Sequence, residues 1–493
     1  MNLTIADAWK TLFDGAEPSS AGAYLEGAWA PADGNELGVT NPETGGLVAV
    51  VRDATTQDAD RAVSYLAREH ARSRWPLWQR REALARASAL VNDKADEFAA
   101  IIVAESCKTI TEARGEVARV VGILRLSAEA ASSLEGGVVP FDNDARGEGW
   151  TGWFTREPLG IVAAITSYND PLGLVAHKLG PGLISGNAVV LKPSSQTPLS
   201  AFALVRVLLQ AGVPASHLAA LTGSQAARAL VGDARVDAIS FTGGREAADV
   251  IASQGRARKL LMDLGGNNAL IACADADVEQ VVDSIIDGAY GAAGQSCLSV
   301  QRVFVAAPLY EAVVEGVTGR AARLRVGSKL DETTEVGPLI TEETAAQIVA
   351  TVEEAVAAGA VLQTGGTRDG AFLTPAVLTG VPHSARLWRE EIFGPVVMVE
   401  PWDDLADAVE RANAVDTGLQ AGVFTRDIDV ALDVASRLRV GGVMINSNSD
   451  FRIDAMPFGG FKSSGIGREG VSSAVEELTE PKIVAIRRSE GAA

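Results

Sequence analysis

Cysteine is scarce in this chain of 493 residues: only Cys107, Cys273 and Cys297 occur. So sparse and odd a count argues against a disulfide framework and for a reducing compartment. Basic residues are outnumbered, with Lys+Arg 43 against Asp+Glu 63 and a formal net charge of −20. The average field therefore repels phosphate backbones and anionic membrane surfaces, which argues against nucleic acid or a membrane as partner. It works equally against an anionic substrate, which would need a local cationic site. Long apolar runs are missing too, since none reaches the roughly 18 residues of a membrane span. The opening MNLTIADAWK has no basic stretch followed by an apolar one, so no secretory leader is read. The expectation is a soluble cytoplasmic protein.

What is present is a globular composition, 47% hydrophobic and 22% charged, in a chain long enough for about two or three domains. Residues 55–135 carry Ala, Glu, Arg and Leu at helical spacing. From Gly160 short apolar runs alternate with amphipathic stretches: 161–166, 188–192, 218–221, 237–241 and 259–263 read as buried strands. A second series follows at 268–272, 301–305, 396–400, 421–425 and 442–446, with helices across 277–293 and 308–323. The fold class expected is α/β, with two doubly wound units joined near Gly265-Gly266. Their bounds are 1–136 with 158–264, and 265–470. The segments 137–157 and 471–493 fit neither; a hairpin and a terminal strand at 478–488 are expected there, forming a small β arm that pairs with another subunit because exposed strand edges need cover.

Cys297 lies in GAAGQSCLSV, where small residues let a ligand approach a thiol. Cys107 and Cys273 read as small buried hydrophobes. Asn169 follows the strand 161–166 and so stands at the carboxyl edge of a parallel sheet, where ligand crevices form; its amide can donate to an oxyanion, or the Asn-Asp-Pro can be a plain turn. Lys192 ends the next strand, and Phe241-Thr242-Gly243-Gly244 ends a third and opens a helix whose N–H groups suit a pyrophosphate. Asp263 closes a fourth strand, where a buried carboxylate needs a partner or a task. The first three of these strand ends point to one crevice.

In order, Asn169, Lys192-Pro193-Ser194, Phe241-Thr242-Gly243, Leu264-Gly265-Gly266, Gly294-Gln295-Ser296-Cys297, Glu391-Ile392-Phe393-Gly394-Pro395 and Pro457-Phe458-Gly459-Gly460 resemble the motifs of the aldehyde dehydrogenase superfamily. The resemblance spans roughly residues 40–485. NDPLGLVAHKLGP (169–181), SCLSVQRVFV (296–305) and FRIDAMPFGGFKSSGIGREGV (451–471) are most similar to the branch of lactaldehyde, phosphonoacetaldehyde and phosphonoformaldehyde dehydrogenases. It implies NAD or NADP as cofactor, bound by the first unit, a short aldehyde as substrate, and a homodimer or homotetramer. It further implies a Cys297 thiohemiacetal held by Asn169, then a thioester hydrolysed by a base-activated water, with Lys178 and Glu469 in a proton relay. Lys192 would contact the adenosine ribose, Gly243 and Gly244 flank the pyrophosphate, and Glu391 with Phe393 hold the nicotinamide ribose; Ile165, Thr166, Ser194, Ser195, Phe241, Thr242 and Leu264 would be further cofactor-binding positions. Asp170, Leu174, His177, Ser296, Leu298, Arg452 and Phe458 would line the aldehyde tunnel.

Three positions depart from the family pattern. Asp263 stands where Glu usually precedes Leu-Gly-Gly, one methylene short of the usual base. If water attack is weak there, coenzyme A could compete as acyl acceptor, so a CoA-acylating enzyme stays open, as does esterase side activity. Ser195 replaces a frequent Glu that repels a 2′-phosphate, so NADP should be accepted. Ala248 replaces a frequent Gly. Arg452 is the isolated cation that an anionic aldehyde would need, unless Asp450 or Asp454 holds it in an ion pair. Ser296, where some phosphate-handling relatives have Arg, keeps hydroxylated aldehydes in play.

Overall fold

A computed structural model describes residues 4–13, 22–30 and 32–488. The helical opening region, 55–135, becomes the helices Thr56–His70, Leu77–Asp93, Ala95–Glu105 and Ile110–Glu129. Two start with reciprocal caps, Thr55 with Asp58 and Thr109 with Glu112, which satisfy the free N–H groups of the first turn.

The uninterrupted apolar runs after Gly160 form a sheet buried on both faces, as parallel strands require. Its central order is Leu218–Leu221, Ala188–Lys192, Ile161–Ile165, Ala238–Gly243, Lys259–Leu264, all parallel. Chain order therefore reverses between Ile161–Ile165 and Ala238–Gly243, and a ligand crevice opens outside the carboxyl ends of two strands at such a reversal. Antiparallel edges add Ala23–Leu25 and Ala28–Ala30 on one side and Gly465–Ile466 on the other. The last of these lies within 265–470 in sequence, so the chain returns to the first sheet there.

The second sheet is parallel in the order Ala376–Thr379, Val396–Trp402, Val300–Ala306, Asn268–Ala272, Gln420–Phe424, Gly442–Ile445, with Val361–Thr364 antiparallel at its edge. The strands at 361–364 and 376–379 were not read from the sequence. Each sheet has its own hydrophobic core. Cys297 precedes Val300 and Glu391 precedes Val396, so both stand at the amino edge of the second sheet, facing the carboxyl edge of the first.

The helix Gly173–Ile184 is buried along its whole length, His177 and Lys178 included. The carboxylate of Glu116 accepts from the N–H groups of Leu172 at 2.7 Å and Gly173 at 2.8 Å at its start. The expected hairpin and terminal strand exist, but they pair with each other. Thr479–Arg487 runs antiparallel to Trp150–Pro158, which also pairs with Gly137–Val138. The strand edges expected to need another subunit are thus partly covered within the chain, while Val138, Trp153 and Ile483 remain exposed.

Candidate active site

The loop carrying Cys297 is held from both ends. Ala292, Ala293 and Gly294 all take positive φ, and a Cβ on Gly294 would stand 2.2 Å from the carbonyl oxygen of Gly394. Only glycine allows that close approach. The Gln295 amide donates to Pro338 at 3.3 Å and accepts from the N–H of Ile340 at 3.0 Å. Beyond the cysteine, Asn268 Nδ2 donates to the carbonyls of Cys297 at 2.8 Å and Ser299 at 3.0 Å. The thiol is half-buried while Cys107 and Cys273 are buried, which separates one reachable sulfur from two packed ones.

Two cavities meet at that sulfur. One, of about 270 Å³, is lined by Ser167, Tyr168, Asn169, Leu174, Thr242, Gly243, Gly244, Asp263, Leu264, Gly265, Cys297, Glu391 and Phe393. The other, of about 370 Å³, is lined by Lys108, Glu112, Arg119, Asn169, Asp170, Leu174, Gly291, Ala292, Gln295, Ser296, Cys297, Leu298, Asp450 and Arg452. Asn169, Leu174 and Cys297 belong to both. The first cavity sits at the chain-order reversal of the first sheet; the second runs beneath the helices of the opening region.

The first cavity and its rim fit a dinucleotide. Gly244 opens the helix Arg245–Gln254 with no side-chain cap, leaving its first N–H groups for an anion. The hydroxyls of Thr166 and Thr242 are buried with no partner among the described residues, and unpaired buried hydroxyls are costly unless a ligand meets them. Lys192, at the end of its strand, has its pKa pushed down to about 8 by burial, with Asp53 opposing. Glu391 is pushed up to about 8 by burial and accepts weakly from the N–H of Gly266 at 3.3 Å. A Cβ on Gly265 would sit 1.8 Å from Glu391 Oε2, so the Gly-Gly pair clears room for this carboxyl. Phe393 is held at φ 52°, edge-on to Tyr168 with ring centroids 6.0 Å apart. Ile165, Ser194, Ser195 and Phe241 line neither cavity; they flank the same strand ends. The methyl of Ala248 is absorbed in the core, at 2% exposure.

Behind the cysteine lies a buried charge cluster. Burial raises the pKa of Asp263, and the neighbouring carboxylate of Glu469 raises it further, to about 8. Burial would raise Glu469 as well, but His177, Arg452 and Lys178 outweigh it and hold this group well below the usual carboxylate range. Lys178 Nζ donates to Ser240 Oγ at 3.1 Å and stands 3.7 Å from Glu469. Burial also raises the Cys297 thiol, with Glu391 adding and Arg452 opposing, so the resting sulfur is protonated.

On the second cavity the partners differ from the sequence expectation. Arg452 pairs with neither Asp450 nor Asp454: its Nη2 donates to Glu469 at 2.8 Å, and its guanidinium lies 3.9 Å over the Phe458 ring. Asp454 accepts instead from Arg119 at 2.8 Å and pairs with His177 at 2.9 Å. Asp170 is held by Arg119 at 2.9 Å and by Lys108. Asp170, Ser296, Leu298 and Arg452 reach the cavity. His177 and Phe458, expected to line the tunnel, stand behind its wall at 1% and 3% exposure, because Arg452 and Arg119 occupy the space in front. Lys108 and Arg119 were missed by sequence reading. They sit in or beside helices crowded with other basic residues, and nothing local marks them.

A half-buried thiol and the amide of Asn169 share the junction of the two cavities, one of them at the strand ends of the first sheet, and this arrangement suits an oxidoreductase. Comparison with known proteins fixes the kind. The chain belongs to the aldehyde dehydrogenase family, whose model matches residues 29–484, and it is an NAD(P)-dependent aldehyde dehydrogenase. It is 44% identical over 451 residues to aspartate-semialdehyde dehydrogenase 1 of Pseudomonas canavaninivorans, covering 91% of this chain and 96% of that one. It is 38% identical to 3-sulfolactaldehyde dehydrogenase of Priestia megaterium, covering 94% and 98%; lactaldehyde dehydrogenases of Methanococcus are also relatives, in keeping with the branch the motifs resemble. Among solved structures, aldehyde dehydrogenase 21 of Physcomitrella patens, in complex with the reaction product succinate, matches with a TM-score of 0.93 at 35% identity over 97% and 100% of the two chains. Family members of the same fold have been solved with NADP and with NAD.

Proposed function

We propose that this enzyme oxidises a short, polar or anionic aldehyde to the carboxylic acid through a Cys297 adduct. The observation that carries the reading is the junction of the two cavities at Cys297 and Asn169, which lets one carbonyl carbon face the thiol and the dinucleotide crevice together. The nicotinamide, when bound, supplies the acceptor for hydride. The chain's own groups do the rest. Asp263 and Glu391, both shifted to about 8 and both lining the cavity with the thiol, are the bases available to take its proton. The sulfur attacks the aldehyde carbon, and the alkoxide that forms accepts from the Asn169 amide and the Cys297 N–H. After hydride leaves, a thioester remains on Cys297. Asp263 removes a proton from water, which attacks the acyl carbon and expels the thiolate; Glu469, Lys178 and Ser240 offer the proton a way out.

Lys192 and the Thr166 and Thr242 hydroxyls would hold the dinucleotide, and Ser195 leaves room for a 2′-phosphate. Semialdehyde and sulfolactaldehyde relatives support a polar or anionic substrate. The exposed apolar face of the β arm supports assembly as a homodimer or homotetramer. The test is Cys297→Ala assayed by reduced-nicotinamide absorbance over a panel of short aldehydes with each cofactor. Turnover should vanish for every aldehyde; undiminished turnover refutes the covalent route. Coenzyme A added to the wild type should yield no thioester if water is the acceptor.

A further inference from the structure

Glu391 stands in a loop that is gripped on both sides, and this grip deepens the proposed function, on which the inference rests. Between the helix Arg386–Arg389 and the strand Val396–Trp402 the chain is neither helix nor strand. No ladder of hydrogen bonds therefore fixes where the Glu391 carboxyl stands. Phe393, in the same stretch, keeps φ at 52°, which a bulky residue does only where its surroundings over-determine it.

Two side chains supply the constraint. Gln301 Oε1 accepts from the N–H of Ile392 at 3.2 Å. Asn267 Nδ2 donates to the carbonyls of Trp388 at 2.9 Å and Glu390 at 3.0 Å. Glu391 is thus held through the residue before it and the residue after it. Its carboxyl meets the N–H of Gly266, the chain neighbour of Asn267. A side-chain amide can face either way, and Arg302 decides which: its Nε donates to Asn267 Oδ1 at 2.9 Å, leaving the amide nitrogen for the loop carbonyls.

Arg302 is 1% exposed and has no carboxylate partner among the described residues. Backbone carbonyls meet its charge: Asn267 at 2.8 Å, and Arg411 at 2.9 Å with Ala412 at 3.0 Å in the last turn of the helix Leu405–Asn413, the end that favours a cation. Burial lowers its pKa to about 9, so it is charged at neutral pH. Filling this space does not require a guanidinium, because an apolar side chain of like volume would do so without desolvating a charge. Gln301 is buried too, and its Nε2 has no partner among the described residues, so the bond to Ile392 is the one its side chain makes there.

We propose that Gln301 and Asn267, the latter oriented by Arg302, are positioning residues for Glu391, holding its carboxyl in the first cavity for the nicotinamide end of a bound dinucleotide. The test is a double-mutant cycle, in which a residue that acts through Glu391 loses its effect once that carboxylate is gone. Gln301→Met should weaken binding of NADH or NADPH at least threefold, followed by nicotinamide fluorescence with no aldehyde present. It should also slow the rapid-mixing burst at least fivefold, with the aldehyde of the panel that the wild type oxidises fastest. In a Glu391→Gln chain the same substitution should change either readout less than twofold. Losses as large in that background, or a Gln301→Met enzyme with both readouts unchanged, overturn the proposal. Asn267→Asp keeps an acceptor for Arg302 but has no donor for the loop; it should give the same pattern and decides the matter if Gln301→Met fails to fold. A wild type that binds neither NADH nor NADPH would instead overturn the dinucleotide reading on which the proposal stands.

Discussion

Replacing Asp263 by Asn separates the two halves of the reaction. In the wild type the carboxyl is neutral below a pKa of about 8, because burial and then the Glu469 carboxylate penalise its charge. As the water-activating base it works only when ionised: roughly one molecule in eleven at about pH 7 and half at about pH 8. Steady-state turnover should therefore rise about fivefold across that unit and level off above it. Asp263→Asn should cut turnover by about 10²–10⁴-fold, the usual worth of a positioned base, and abolish the rising limb. A rapid-mixing burst of reduced nicotinamide should survive, since hydride leaves before water attacks. Loss of the burst would mean that Asp263 is needed to activate the thiol, and a flat wild-type profile would refute the raised pKa. Glu469→Gln supplies an internal control. It removes the like charge while Lys178 and Arg452 stay, so the limb should move to lower pH; a move to higher pH refutes the coupling. The same shift bears on stability. Folding raises this pKa from 3.8, so the folded chain holds the proton more tightly; that contribution is full at low pH and is lost as pH rises through about 8.

Arg452→Leu removes the hydrogen-bonded partner of Glu469, leaving Lys178 at 3.7 Å as its remaining ion pair, and should cost about 3–5 kcal/mol in denaturant unfolding. It should also raise KM for carboxylate-bearing aldehydes and spare neutral ones; equal effects on both would make the arginine purely structural. Ser195→Glu places a carboxylate beside Lys192, and kcat/KM for NADP should fall at least tenfold relative to NAD. An unchanged ratio would put the 2′-hydroxyl elsewhere.

The strand ends were legible because parallel strands buried on both faces must be apolar without interruption, and the polar residue that stops each run marks the sheet's edge. Asn169, Lys192, Gly243 and Asp263 were singled out this way as candidates, and Cys297 from the small residues around it; Asn169, Gly243, Asp263 and Cys297 line one cavity. The order of the motifs carried the family. From chain order the segments 137–157 and 478–488 were expected to pair with another subunit; the structure joins them to each other. Nor could it show which charges meet. Arg452 has Asp450 and Asp454 two residues away on either side, yet it pairs with Glu469, seventeen residues on. Lys108 and Arg119 reach the second cavity only because the helix Ile110–Glu129 and the turn before it lie against it. Sequence determined the backbone scaffold and the candidate site residues, since both follow from local periodicity and residue type. Tertiary structure decided the pairing of buried charges, and hence the two pKa values near 8 beside the thiol, because those depend on burial and on neighbours far apart in the chain.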